Sequence, residues 1–150
     1  MKHNYLQGFY VPQHKDKYIG NSNNIVYRSS YELKFFRWLD YNPQVLKWNS
    51  EDLKIPYINP FDGKIHYYYV DVIFQYVNVN KEIRTALAEI KPSDQCEPPK
   101  PPKKRLSSSY KQKVKTFIIN QAKWEAAKKF ASENNMLFLV VTEKQLEALR

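Results

Sequence analysis

The chain has 150 residues with 24 Lys and Arg against 15 Asp and Glu, a formal net charge of +9, which favours a polyanionic partner because each phosphate neutralised releases counterions. Its 43% hydrophobic and 15% aromatic content, with twelve Tyr, excludes a largely disordered chain and suits one compact domain spanning residues 1–150. The single Cys96 excludes an internal disulfide and has no partner at zinc-ligand spacing, and neither an apolar leader nor a run of about eighteen apolar residues is present, so an intracellular, soluble protein is expected.

Residues 1–24 contain Gly8, Pro12, Gly20 and the turn "NSNN" without periodicity, and read as an N-terminal arm pinned by Tyr5, Phe9, Tyr10 and Tyr18. A helix follows, with Ser29 as N-cap, Glu32 three residues on, and Leu33, Phe36 and Leu39 or Asp40 toward the core; Pro43 ends it. Val45 to Ile58 is β-like, and "NPFDGK" (59–64) supplies the residues of a hairpin turn. "IHYYYVDVIFQYV" (65–77) predicts a central strand covered on both faces, and "IRTALAEIK" (83–91) predicts its antiparallel neighbour.

The segment 92–109, "PSDQCEPPKPPKKRLSSS", holds five of the nine prolines and predicts a loop, since proline cannot donate to a ladder. From Lys91 to Lys115 there are eight Lys or Arg against Asp94 and Glu97, a net +6 that concentrates the positive charge. A long helix is predicted over about 109–132, with Val114, Phe117, Ile118, Trp124 and Phe130 at helical spacing, and "NMLFLVVT" (135–142) predicts a buried strand. Thr142 and Gln145 have the spacing of a capping box for a last helix. This order of helix, three-strand meander, helix, strand and helix predicts an α/β single domain, a mixed β-sheet flanked by helices.

Residues two apart in a strand point to one face, about 6.6 Å apart, so Glu89 and Lys91 share a face with Leu87. Asp71 interrupts a strongly hydrophobic strand, where a lone buried carboxylate would cost several kcal/mol unless paired or metal-bound. An antiparallel neighbour brings Asp71 within diagonal reach of Glu89. Two carboxylates and the Ile90 carbonyl would leave an octahedral Mg²⁺ with room for a phosphate oxygen and the attacking water, with Lys91 beside it to hold that water. The competing reading is a cross-strand charged pair on a solvated face.

The residues "VD" at Val70–Asp71, seventeen intervening positions, then Glu89–Ile90–Lys91, resemble the catalytic core of the PD-(D/E)xK nuclease superfamily, with Val70 where the motif has proline. That resemblance implies a restriction-endonuclease-like core that uses Mg²⁺ (or Mn²⁺). It also implies an acid on the first helix, matched by Glu32 in "SSYELKFF", and a polar residue on the helix after the motif strand, matched by Gln121 in "NQAKWEAAKKF". Over its whole length the chain resembles the head-completion nucleases of T-even-type tailed bacteriophages. This implies exo- and endonucleolytic cleavage of double-stranded DNA during virion assembly in the host cytoplasm, and contact with capsid portal or neck proteins.

The alternatives differ residue by residue. Glu32 is either a metal ligand or the acid of a capping box with Ser29, and Gln121 either assists the site or is a hydrogen-bonded core amide. Lys100, Lys103, Lys104, Arg105, Lys111 and Lys113 are expected to hold the DNA backbone, the alternative being a merely solvated loop. The chain itself is either a nuclease or a non-catalytic DNA-binding adaptor of the phage head that retains a nuclease fold. A transposon-end or restriction-type nuclease of the same superfamily is the other enzymatic reading, and would need a specificity domain or partner.

Overall fold

The structure is a computed structural model and describes residues 7–149; Tyr5, expected to pin the arm, lies outside them. Strand β1 (Gly8–Phe9) pairs antiparallel with β2 (Val26–Tyr27), with one 3-10 turn (Lys15–Lys17) between them. A single carboxylate anchors the connecting segment. The Tyr10 hydroxyl donates to Asp40 Oδ2 at 2.6 Å, and the amides of Gln13 and His14 donate to the same side chain at 2.8 and 2.9 Å. Tyr18 packs edge-on against Trp48, ring centroids 4.7 Å apart. Phe9 does not pin the arm: it is 67% exposed, on the outer side of a two-residue strand.

Helix α1 (Ser30–Tyr41) begins where the Ser29 hydroxyl accepts the Glu32 amide, and buries Glu32, Phe35, Phe36, Leu39 and Asp40. Pro43 follows the C-cap Asn42 and leads into β3 (Val45–Ser50). Strands β4 (Lys54–Ile58) and β5 (Ile65–Tyr69) form a separate two-stranded ribbon. Its turn places Gly63 at φ +69°, a conformation that costs glycine little and other residues more.

The run 65–77 is therefore not one strand. It breaks at Val70 and Asp71, and β6 (Val72–Val77) leaves the ribbon to lie between β3 and β7 (Ile83–Ile90). Two hydrogen bonds tie the corner, from the Val70 amide to the Leu53 carbonyl at 3.0 Å and from the Glu51 amide to the Asp71 carbonyl at 3.1 Å. Nor are both faces covered. Ile65, Tyr67 and Tyr69 are each more than half exposed, because nothing among the described residues packs on the ribbon's outer side.

Helix α2 (Ser108–Glu133) starts at the N-cap Ser107 and buries Asn120, Trp124, Ala127 and Ala131. The expected stripe was too broad: Ile118 is exposed, and Val114, Phe117 and Phe130 are only half-buried. The first three turns of α2 carry no buried residue, so helical spacing there does not mean core. Strand β8 (Leu137–Val141) pairs parallel with β7 and is the outermost strand, which is why Leu137 and Leu139 stay well exposed and the expectation of a buried strand is corrected. Helix α3 (Glu143–Ala148) opens on the expected capping box of Thr142 and Gln145.

The main sheet runs β3-β6-β7-β8, antiparallel except for the last pair, so it is mixed. Its side chains divide by parity. Val72, Phe74, Ala86, Ala88 and Ile90 pack with Phe35, Phe36 and Leu39 of α1, while Ile73 and Leu87 pack with Ala127 and Ala131 of α2 and with Ile55, Tyr57 and Tyr68 of the ribbon. A helix thus covers each face, and Glu89, next but one to Leu87, lies on the α2 side.

Candidate nuclease site

The site lies at the corner where the ribbon leaves the sheet. The last ladder pair of β6 and β7 is Val72 with Ala88, so one further step at this register sets Asp71 opposite Glu89. The ladder does not continue in the ordinary way. Asp71 Oδ2 takes the Ile90 amide at 2.8 Å, the bond a carbonyl of a regular β6 would have accepted. Because the N–H and C=O of one strand residue point to the same neighbour, the Ile90 carbonyl is directed to the Asp71 side as well.

Glu89 is buried and fixed by two neighbours. The Tyr68 hydroxyl donates to Oε2 at 2.7 Å, and the Lys91 ammonium lies 3.7 Å from Oε1. Burial, then the charge and hydrogen bond of Glu89, raise the Tyr68 pKa, so this phenol remains a donor. Asp71 keeps part of its residue surface in water, but protein crowds its carboxyl. Burial first, and then the charge of Glu89, hold that carboxyl well above the ordinary range; the Ile90 amide and Lys91 oppose the shift and Glu32 adds to it.

Glu32 comes near without joining the pair. Its Oε2 takes the Arg28 amide at 2.8 Å, one residue before the N-cap, and lies 3.4 Å from the Ser29 hydroxyl, so it helps to cap α1. Burial raises its pKa against the pull of the Arg28 amide, and the charge of Glu51 raises it further. Gln121 is half-buried on α2 and, among the described residues, makes no hydrogen bond to Asp71, Glu89 or Lys91. Two positions on, the Lys123 ammonium lies 5.9 Å from the ring centroids of both Tyr57 and Tyr68.

Lys103, Lys104, Arg105 and Lys111 are exposed on the loop and the first turns of α2. Lys100 and Lys113 are exposed too, and they line a cavity of about 510 Å³ with Asp94, Glu97, Phe117 and Asn120. Three groups at the corner were not anticipated from sequence: Tyr68, which orients Glu89, and Glu51 with Arg28, which pair at 2.7 Å beside Glu32. For Tyr68 the alternation of Tyr67, Tyr68 and Tyr69 was the available signal; for Glu51 and Arg28, joined across 23 positions, there was none.

Among the described residues no three His, Cys, Asp or Glu side chains are grouped to hold a metal ion. Mg²⁺ does not require such a group, since it is commonly bound by one or two carboxylates and keeps several waters. Among the described residues Asp71 Oδ1 and Glu89 Oε1 accept no hydrogen bond, and two neighbouring carboxylates with a carbonyl directed to the Asp71 side are a donor set that suits a hard cation.

A mixed sheet covered by a helix on each face, with an aspartate opposite the first residue of a Glu-x-Lys strand end, defines the restriction-endonuclease-like fold of the PD-(D/E)xK nucleases. The family model for the TnsA-like endonuclease N-terminal domain matches residues 42–143, more than half of the chain, and the chain belongs to that family. It is also 34% identical over 145 residues to the head completion nuclease of Enterobacteria phage T4, covering 95% of this chain and 94% of that protein. No solved structure matches it with significance.

Proposed function

We propose that the chain is a divalent-metal-dependent DNA nuclease with exo- and endonucleolytic action and little sequence specificity, acting in phage head completion and head-tail joining. The observation that carries the site assignment is the corner itself: Asp71 faces Glu89 and holds the Ile90 amide, and the Lys91 ammonium lies 3.7 Å from the Glu89 carboxylate. The biological setting rests on the likeness to the phage T4 protein along nearly the full length of both chains.

Asp71, Glu89 and the Ile90 carbonyl are the groups that would hold Mg²⁺ or Mn²⁺, with Glu32 reaching it through water. Bound there, the ion would polarise the scissile phosphate and lower the pKa of a bound water. Lys91, with 22% of its side chain exposed, presents its ammonium where it can orient the attacking water and offset charge building on phosphorus. Tyr68 fixes the Glu89 carboxylate. Gln121, on the half-buried side of α2, assists from the helix.

Lys100, Lys103, Lys104, Arg105, Lys111 and Lys113 hold the phosphate backbone of double-stranded DNA, a contact that carries no sequence information. Among the described residues no helix is long and apolar enough to cross a membrane. Assembly in the host cytoplasm, attachment to the phage head and contact with portal or neck proteins follow the same reading.

The test is direct. Purified protein with Mg²⁺ should nick circular DNA and degrade linear DNA of unrelated sequences, and Lys91→Ala should lower cutting by about 10²–10³-fold while leaving DNA binding nearly unchanged. A wild type that is inert with both Mg²⁺ and Mn²⁺, yet shifts DNA in a salt-dependent way, would replace the nuclease with the adaptor.

A further inference from the structure

The outer face of the β4–β5 ribbon is apolar and open. The register pairs Lys54 with Tyr69, Pro56 with Tyr67 and Ile58 with Ile65, and alternation along each strand puts these six on one side. All six are exposed, with Ile58, Ile65, Tyr67 and Tyr69 at 65%, 66%, 55% and 54%. Single exposed apolar residues need no explanation, but a contiguous face of this kind marks a contact surface.

Its position and its charge narrow the occupant. The opposite face of the ribbon packs on α2, and through Tyr68 it reaches Glu89. Tyr69 precedes Asp71 by two residues, so no more than about 7 Å of chain separates the face from the site. The one charge on the face is positive: the Lys54 ammonium lies 4.3 Å from the centroid of Tyr67. Flat apolar groups joined by anions match it. Unpaired nucleotides have that chemistry, offering base faces to Tyr67 and Tyr69 and phosphates to Lys54, whereas a fully paired duplex hides its base faces in its own stack.

We propose that the outer face of the β4–β5 ribbon binds the unpaired nucleotides of a DNA end, an overhang or a frayed terminus, and feeds that strand to the corner of Asp71, Glu89 and Lys91. The delivery step rests on the nuclease reading, but the binding does not. It is therefore tested without cleavage.

The full chain carrying Lys91→Ala is titrated at fixed salt, without divalent metal, into a fluorescent oligothymidine of about 15 nucleotides, within the site sizes usual for single strands. A blunt hairpin duplex is the comparison. The oligothymidine should bind more tightly, Tyr67→Ala and Tyr69→Ala should each weaken it about tenfold with little effect on the duplex, and Tyr67→Phe and Tyr69→Phe should keep it. The Phe variants hold the test open should an Ala variant melt early.

Oligothymidine binding unchanged in both Ala variants overturns the proposal. So does sedimentation showing that these tyrosines instead hold two copies of the chain together. Loss of single-strand binding in the Ala variants, alongside a wild type that cuts no DNA, would sink the nuclease reading and leave this one standing. Normal cutting by the wild type, alongside undisturbed oligothymidine binding in the Ala variants, would do the reverse.

Discussion

Asp40 and Asp71 are both carboxylates set among apolar residues, and their surroundings differ in kind. Asp40 is fully buried and receives three donors spread over both oxygens, the Tyr10 hydroxyl and the amides of Gln13 and His14. Among the described residues Asp71 receives the Ile90 amide alone, and it faces the charge of Glu89. A carboxylate whose lone pairs are satisfied from within holds structure together, here the arm against α1. One that is left partly unpaired beside a like charge has the surroundings in which functional groups cluster, and this supports the proposed role of Asp71 as a metal ligand.

Substituting the two residues should separate these roles. Asp71→Asn should lower cutting by about 10³-fold while the fold persists. Assays of nicking and of melting temperature on the same preparation check this, and a variant that cuts at near wild-type rate would remove Asp71 from the site. Asp40→Ala should instead cost about 3 kcal/mol, since it strands a buried hydroxyl and two amides, and should lower the melting temperature by roughly 6–12 °C. Cutting per folded molecule should survive, and denaturant unfolding checks the magnitude.

The pH dependence sharpens the contrast. Without metal, the raised pKa of Asp71 means that the unfolded chain, ionising near pH 4, gives up its proton before the folded one. Asp71's own contribution to stability therefore falls as pH rises from there through the folded pKa, and this contribution is absent in Asp71→Asn. The melting temperature of Asp71→Asn relative to wild type should rise with pH and then level off. A flat or falling difference would show that Asp71 is not destabilised by its burial and by Glu89.

The smallest effect belongs to the loop. Lys103→Ala should weaken DNA binding uniformly across sequences and reduce the slope of log affinity against log salt by about 1. An unchanged slope would mark Lys103 as solvated.

Much of the candidate site's geometry was legible because strand parity is a strict rule. Glu89 and Lys91 had to share a face with Leu87, and a carboxylate at Asp71 inside an apolar run had to be accounted for. The break at Val70 and Asp71 was not legible, because a hydrophobic run shared between two sheets has the same pattern as one long strand; only the hydrogen bonds to Leu53 and from Glu51 reveal the corner. The hold of Asp40 on the arm spans 26 to 30 positions and leaves no local mark. Glu32 shows both sides of the limit: its capping role is local, within three or four positions of Ser29 and Arg28, and its distance from Ser29 was readable, but its proximity to Asp71 arises only when α1 and the sheet corner meet.

The most direct measurement is a crystal soaked in Mn²⁺ and examined at the manganese absorption edge. An anomalous peak ligated by Asp71, Glu89 and the Ile90 carbonyl, and lost in Asp71→Asn, is expected. Manganese bound elsewhere on the chain, with that corner empty at saturating concentration, would contradict it.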